Sequence, residues 1–576
     1  MAVTHDQELL ATFHAGRSEW TQRSAIWALI ALVSTAIGVR GYRLADHCLW
    51  FDEAWSWRYT RFSIWEIIRR TAGDVHPPFY FLLLKGWVGA FGDSTTALRS
   101  LSVLCGGLTV LGMYLFVAEA FAQKQRGEKN RTNRLPARSL GLFTASLVTF
   151  SVFHIRYGWE TRAYTLGTAL LAFSSWALFR ALRKDSDGMR WWVLVAILDL
   201  LFLYSHPYAL FSMVAQAIFL WSYLLFTAPC SVPWRHPSFR GAAVASYLVF
   251  VGWLPWLPVL LHQRKLVQAN YWTKPVTLWS LSQIPYQMFI EPQPVIGTSG
   301  EMLVPAVLTI GFLLAALWKP KARQYYVFCA AVAPFGLGVA LSVVDTKVVT
   351  YRYFLFAHLF ILTCLAVVVW RLPHTVQRHS IGAIVLAVFC LSYVGYWGSL
   401  DLPSQPGAQQ AADYVTVRRK AGEPIVVSHP LIYFPFHYYL GNRSNCLLLG
   451  ALEGLVHYDG LAVLAANELV TADELDTISD QRIWLVTAVG PGCSWSVPTP
   501  KHWIAESEKR FSEIFVVQGD VLLQCQIVVT EYRVTKPESM STIKPVSVSE
   551  REAVPRTETR RSTPRDRTPG KAFPHL

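Results

Sequence analysis

A polytopic α-helical membrane protein with a small α/β domain near its C-terminal end is the fold class this sequence predicts, and three observations predict it. Hydrophobic residues make up 53% of the 576 residues and charged residues only 16%, whereas soluble domains carry about a quarter charged residues. Mean hydropathy over the whole chain is +0.30, more apolar than globular cores require. About eleven separate apolar stretches approach the roughly 20 residues that a bilayer crossing needs. This composition excludes a disordered, fibrous or disulfide-scaffold protein and argues against a soluble multidomain enzyme. The nine cysteines are scattered and form no CxxC, so no metal knuckle or disulfide framework is expected.

The elements follow in order. Residues 1–23 are polar and mixed in charge, which makes the apolar stretch from Ser24 to Val39 a signal anchor on a cytoplasmic N-terminus. Further spans are expected at about 97–120, 139–155, 163–182, 191–205, 207–227, 241–261, 303–318, 325–344, 354–370 and 380–398. The net charge of +14 would suggest a nucleic-acid partner in a soluble protein, but its distribution points to topology. Basic connections recur at alternate span ends: Lys124 to Arg138, Arg183 to Arg190, Trp234 to Arg240, Lys319 to Arg323 and Arg371 to His379. The positive-inside rule puts these in the cytoplasm. The opposite, extracytoplasmic face then receives a long loop at 41–96, short turns around Arg156 to Arg162 and at Ser205-His206, a second long loop at 262–302, and the segment Asp345 to Tyr353. The spanning module runs over 24–400. After it, 401–535 reads as a soluble extracytoplasmic α/β domain, with AQQAADYVTVRRKAG helical, PIVVSH and RIWLVTAV as strands, and a long alternation from Phe515 to Arg533. Residues 536–576 are rich in Ser, Thr, Pro and Arg, and read as a disordered basic tail.

The groups able to do chemistry lie on the extracytoplasmic side. Asp52 and Glu53 stand among Trp50, Phe51, Trp55 and Trp57. A carboxylate in such an apolar, interfacial setting is suited to accept a proton, although the same pair also reads as a helix N-terminal acid pair within an aromatic belt. Asp74-Val75-His76-Pro77-Pro78 follows. The two prolines fix the chain direction, and Asp74 with His76 could contribute to a divalent-cation or phosphate site; a proline-started interfacial helix with a capping Asp accounts for the segment equally. Arg156 and Arg162 in IRYGWETRAY, His206 in YSHPY and Arg352 in TYRYF lie on the same face, and Arg suits bidentate phosphate contact.

DEAW in the first long loop, DxHPPFYF after it, and a span opening TALRSLSVLCGG, followed by IRYGWETRAYTL, YSHPYALF and VVTYRYFLF, together resemble the polyprenyl-phosphate-dependent C-type glycosyltransferases. Within these the similarity is to the protein O-mannosyltransferase and aminoarabinose-transferase (family 39-like) branch, over residues 20–400. The resemblance implies an integral membrane glycosyltransferase that moves a sugar from a polyprenyl-phosphate donor to a hydroxyl of a glycan, lipid or protein acceptor, with inversion, at the extracytoplasmic face of the cell membrane. It implies Asp52 as catalytic base with Glu53 as its catalytic neighbour. His76, Arg156, Arg162, His206 and Arg352 are implied as donor-phosphate ligands, and Asp74 as a candidate ligand of a divalent metal ion, the one cofactor in view. Aminoarabinose-type relatives carry Glu-Lys before the two prolines, where this chain has Val75-His76. A transporter or flippase of lipid-linked sugars, and a ligase or polymerase of lipid-linked glycans, are the competing readings. Spans nearly free of internal charge argue against the transporter.

Overall fold

The structure is a computed structural model. It describes residues 23–535 except 123–134, 184–187, 228–231, 270–272, 274, 291–301, 319, 345–346, 400–406, 442–444, 452–453, 478–481, 492 and 518–520. The N-terminal segment, most of the Lys124–Arg138 connection, parts of the 262–302 loop and the basic tail expected from the sequence therefore lie outside the described residues.

Helix α1 (Arg23–Gly41) is followed by three helices of the first long loop: α2 (Phe51–Tyr59), α3 (Ile64–Ala72) and α4 (Phe79–Phe91). The bundle continues through α5 (Thr95–Ala120), α6 (Leu135–Phe150), the short α7 (Val152–Arg156), α8 (Tyr164–Ala181), α9 (Met189–Leu203) and α10 (Ala209–Thr227). Helix α11 (Phe239–Trp253) runs through a 3-10 turn at Pro255 into α12 (Leu257–Ala269), and α13 (Leu278–Phe289), α14 (Leu303–Ala316), α15 (Ala322–Val344), α16 (Leu355–Trp370) and α17 (Thr375–Ser399) complete it. All eleven expected stretches are helical. Among the described residues seven helical runs are long and apolar enough to cross a membrane, namely α1, α5, α10, α11 with α12, α15, α16 with its preceding turn, and α17; Phe79–Phe91, Ala137–Phe150 and Leu303–Ala316 are apolar but shorter.

Helices α5 and α16 are central and mostly buried, while α1, α11–α12 and α17 turn most of their side chains outward. The interior is less free of charge than the sequence suggested. Asp199 of α9 is buried and takes hydrogen bonds from Ser174 Oγ of α8 and, at 3.1 Å, from Gln216 Nε2 of α10; the Tyr326 hydroxyl of α15 donates to Gln216 Oε1 at 3.3 Å. Such side-chain bonds between helices hold an apolar bundle in register where lipid offers no hydrophobic drive. At the far end of α1, Arg40 is 1% exposed and donates to the carbonyls of Ala36, Thr149 and Val148 at 3.0–3.3 Å. Gly106 and Gly158 make room for it, since a Cβ at either would lie within 2.8 Å of Arg40 Cδ.

After the bundle come α18 (Gly407–Arg418), β1 (Ile425–Val427), α19 (Pro430–Leu440), β2 (Cys446–Leu449), β3 (Leu469–Val470), α20 (Ala472–Thr477), β4 (Arg482–Gly490), β5 (Cys493–Ser494), β6 (Trp503–Val517) and β7 (Val521–Val534). The sheet order is β3-β2-β1-β4-β7-β6, with β5 on β4; β3, β2, β1 and β4 run parallel, β7 and β6 antiparallel. Strands β1, β2 and β3 are apolar throughout (Ile425, Val426 and Val427 are all fully buried), as expected when both faces of a sheet are covered. The expected single alternation from Phe515 to Arg533 is instead shared between two paired strands.

Candidate active site

The first-loop segments and the C-terminal domain are joined at one end of the bundle. In α2, Asp52 and Glu53 occupy the first turn, where the helix dipole favours acids, and Glu53 Oε2 accepts the Trp50 N–H at 3.4 Å. Helix α3 starts at a reciprocal cap, Ser63 N–H to Glu66 Oε2 at 3.0 Å and Glu66 N–H to Ser63 Oγ at 3.3 Å. The Pro77-Pro78 step sets the entry to α4, whose Phe79 N–H donates to the Tyr204 carbonyl at 2.9 Å. That bond sews the His76 segment to the turn carrying His206.

Adjacent residues on a helix point about 100° apart, and the two acids diverge accordingly. Asp52 faces the gap between three separate segments: its Oδ2 lies 3.7 Å from Arg162 Nε and 3.8 Å from a terminal nitrogen of Arg352. Arg162 in turn donates to His76 Nε2 at 2.9 Å and to Ser56 Oγ at 3.3 Å, and lies over the Trp55 ring at 5.3 Å. His76 Nδ1 is 2.9 Å from Asp74 Oδ2. Because a guanidinium only donates, His76 Nε2 is the acceptor and its proton sits on Nδ1, donated to Asp74. The result is one chain of contacts, Asp74 to His76 to Arg162 to Asp52, with Arg352 on the other side of Asp52. Arg156 donates to the Tyr351 hydroxyl at 3.1 Å, beside Arg352 in sequence. His206 is 5% exposed; its Nδ1 accepts the Tyr208 N–H at 3.1 Å, and its ring packs among Tyr164, Tyr353 and Phe356. Burial, reinforced by His76, Arg162 and Arg352, holds it well below the usual imidazole range, so it is neutral.

Three of the expected site residues are engaged in other contacts. Glu53, expected beside Asp52 in catalysis, is fully buried and points into the protein, where Arg99 donates to it at 2.6 and 2.8 Å and Thr161 adds its N–H at 3.0 Å and its hydroxyl at 3.2 Å. Its oxygens are spent on positioning. His76, expected on the donor phosphate, has both ring nitrogens engaged by Asp74 and Arg162. Asp74, expected on a divalent metal, is 1% exposed and committed to His76. Among the described residues no three His, Cys, Asp or Glu side chains converge, so this donor set does not fit a divalent cation. Two residues carried no assignment in the sequence reading: Arg99 and Glu160. An Arg at the opening of an apolar span was the signal for the first.

The C-terminal domain completes the end. Aromatic helix α19 packs on α2 through Phe434 against Phe51 and Tyr438 against Trp57. The Leu49 N–H donates to the Tyr439 hydroxyl at 3.0 Å, the Tyr438 hydroxyl to the Asp93 carbonyl at 2.7 Å, and Arg70 to the Ala462 carbonyl at 2.8 Å. Arg58 of α2 pairs with Glu468. Gly460, at φ 85°, sits against Phe434 and Trp55.

Residues 75–227, which carry His76, Arg156, Arg162 and His206, match the family described as the protein O-mannosyl-transferase TMEM260 N-terminal domain. The fold is that of ArnT from Cupriavidus metallidurans: its apo structure aligns over 80% of this chain and 93% of its own, with TM-score 0.51 and 15% identity. The chain thus shares its fold with a polytopic membrane protein over most of both lengths. The undecaprenyl-phosphate-bound structure of ArnT aligns over 87% of this chain and 97% of its own, with TM-score 0.51 and 13% identity. The Saccharomyces cerevisiae Pmt1-Pmt2 protein O-mannosyltransferase complex bound to the sugar donor aligns over 41% of this chain and 34% of its own, with TM-score 0.31 and 17% identity. No curated protein matches in sequence.

Proposed function

We propose that this protein is a glycosyltransferase that takes its sugar from a polyprenyl-phosphate donor and transfers it, with inversion, to a hydroxyl of a glycan, lipid or protein acceptor on the extracytoplasmic face. The observation that carries the reading is one carboxylate oxygen, Asp52 Oδ2, within 3.8 Å of two guanidiniums, Arg162 and Arg352, supplied by separate segments. A transfer of this class needs a base for the acceptor proton and fixed cations for a departing phosphate. Asp52 takes the proton of the acceptor hydroxyl, the hydroxyl oxygen forms its bond to the anomeric carbon, and the bond from that carbon to the phosphate oxygen breaks. Arg352 and Arg162 receive the charge left on the phosphate, with Arg156 beside them. One carboxylate suffices because no glycosyl-enzyme is formed. The chain from Asp74 through His76 fixes Arg162, and neutral His206 adds no charge to the site.

A small, mostly apolar pocket lies beside this constellation, lined by Pro77, Leu203, Pro207, Trp253, Trp256 and Gln263 among others. Pro77 and Pro207 directly follow His76 and His206, so apolar surface adjoins the arginine cluster, as a lipid-linked donor requires. The side is supported by the positive-inside bias of the opposite connections and by Cys525 of β7, which is disulfide-bonded, a state that persists in oxidising compartments.

The test is transfer from a radiolabelled polyprenyl-phosphate sugar by purified wild type and Asp52→Asn. We expect product from the wild type and a loss of about 10²- to 10⁴-fold in the variant at unchanged thermal stability. Near-normal transfer by Asp52→Asn refutes the assignment.

A further inference from the structure

Glu160 lies in the turn between α7 and α8, four residues after Arg156 and two before Arg162. Its Oε2 is buried and makes no hydrogen bond among the described residues. The charged and titratable groups facing it come from every element around it: Asp52 and Glu53 of α2, Arg156 at the end of α7, Arg352 in the turn before α16, and Tyr396 of α17. Arg156 donates to the Tyr351 hydroxyl at 3.1 Å and Arg352 lies 3.8 Å from Asp52. A buried carboxyl oxygen without a partner is costly unless a ligand supplies one, and this one stands among the arginines assigned to the donor phosphate.

We propose that Glu160 is a further ligand of the donor phosphate, bound as the neutral acid and donating its O–H to a phosphate oxygen, so that donor binding requires a proton on this carboxyl. The inference rests on the polyprenyl-phosphate reading above. A carboxylate at this place would repel the phosphate, whereas the acid form contributes a donor to it. The empty site already favours the acid: burial pushes Glu160 up to about 8, Glu53 and Asp52 push in the same direction, and Arg156 and Arg352 oppose them. A bound anion raises it further. The affinity of the wild type therefore holds below that value and falls about tenfold per pH unit above it.

The experiment measures binding rather than turnover. Full-length protein in nanodiscs is titrated with farnesyl phosphate between pH 7 and pH 9.5, for the wild type and Glu160→Gln, which keeps the shape and a donor but cannot ionise. Any change in ionisation of the lipid phosphate itself is common to both proteins, so their difference isolates Glu160. We expect the variant to bind within about threefold of wild type at pH 7 and to lack the tenfold-per-unit weakening above pH 8. Parallel pH curves for the two proteins, or a folded variant that binds at no pH, overturn the role of Glu160. A wild type that binds no farnesyl phosphate at any pH overturns the donor reading itself, and the role of Glu160 with it.

Discussion

Glu53→Ala separates a positioning residue from a catalytic one. Both Glu53 and Arg99 have fully buried side chains. The carboxylate receives two hydrogen bonds from Arg99, two from Thr161 and one from Trp50. Among the described residues Arg99 is otherwise held by the carbonyls of Leu44, His47 and Cys48, by the ring of His47, and over the Trp159 ring at 5.9 Å. Removing the carboxylate leaves an uncompensated guanidinium in the interior, a loss of about 3–5 kcal/mol, whereas replacing both partners by apolar side chains of similar volume is often close to neutral. We therefore expect Glu53→Ala to lower the unfolding midpoint in detergent markedly and Glu53→Met with Arg99→Met to recover more than half of that drop. Turnover per folded molecule in the double variant should exceed that of Asp52→Asn at least tenfold, because the base is still present. A double variant as stable as wild type yet as inactive as Asp52→Asn would refute the reasoning and return Glu53 to the reacting groups.

Further outcomes follow from the same geometry. Arg352→Lys, which loses the planar fork, should weaken binding of a lipid phosphate about 10- to 100-fold, the equivalent of one charge-assisted hydrogen bond, in a direct titration. His76→Ala should cut turnover by about 10²-fold through a misplaced Arg162, and adding Asp74→Asn to it should cost little more, since the two act in one chain. A Cβ at Gly460 would lie 2.5 Å from Phe434 and 3.2 Å from Trp55, in a left-handed conformation besides; Gly460→Ala should loosen α19 from α2 and expose the C-terminal domain to limited proteolysis. Acid should destabilise the protein through its buried histidines. Burial holds His206 well below the ordinary value and puts His429 and His437 at about 4. The unfolded chain takes up these protons first as pH falls below about 6.5, so stability drops from there downward, by about 1.4 kcal/mol per unit for each such group. Unfolding midpoints between pH 7 and pH 5 should show it, with a shallower slope in His437→Gln.

The spans were legible because a bilayer demands long apolar runs, and their common charged end because cations mark the opposite side. Asp52 stood out through its aromatic neighbours, but those neighbours could not divide its role from that of Glu53. The division comes from helix geometry together with Arg99, 46 residues away, and Thr161, 108 residues away. His76 and Arg162 were each visible, yet their contact was not, because only tertiary packing decides which nitrogen meets which donor. Glu160 lay inside a recognised motif and passed as a connector between two arginines. In the C-terminal domain the strands were readable from β-branched runs, while helix α19, PLIYFPFHYYL, shows no polar face by which its docking on α2 could be read.

Arg40 imposes an order on biosynthesis. Helix α1 is made before its partners, since one acceptor of its arginine, the carbonyl of Thr149, lies 109 residues later in the chain, and Gly106 and Gly158 complete the walls around it. At about 5–20 residues per second the ribosome needs roughly 5–20 s to supply that acceptor. During this interval the guanidinium must stay at the lipid–water boundary, where snorkelling is cheap, and α1 remains undocked. Helix α1 is thus locked into the bundle only after α6 and the turn beyond it have followed.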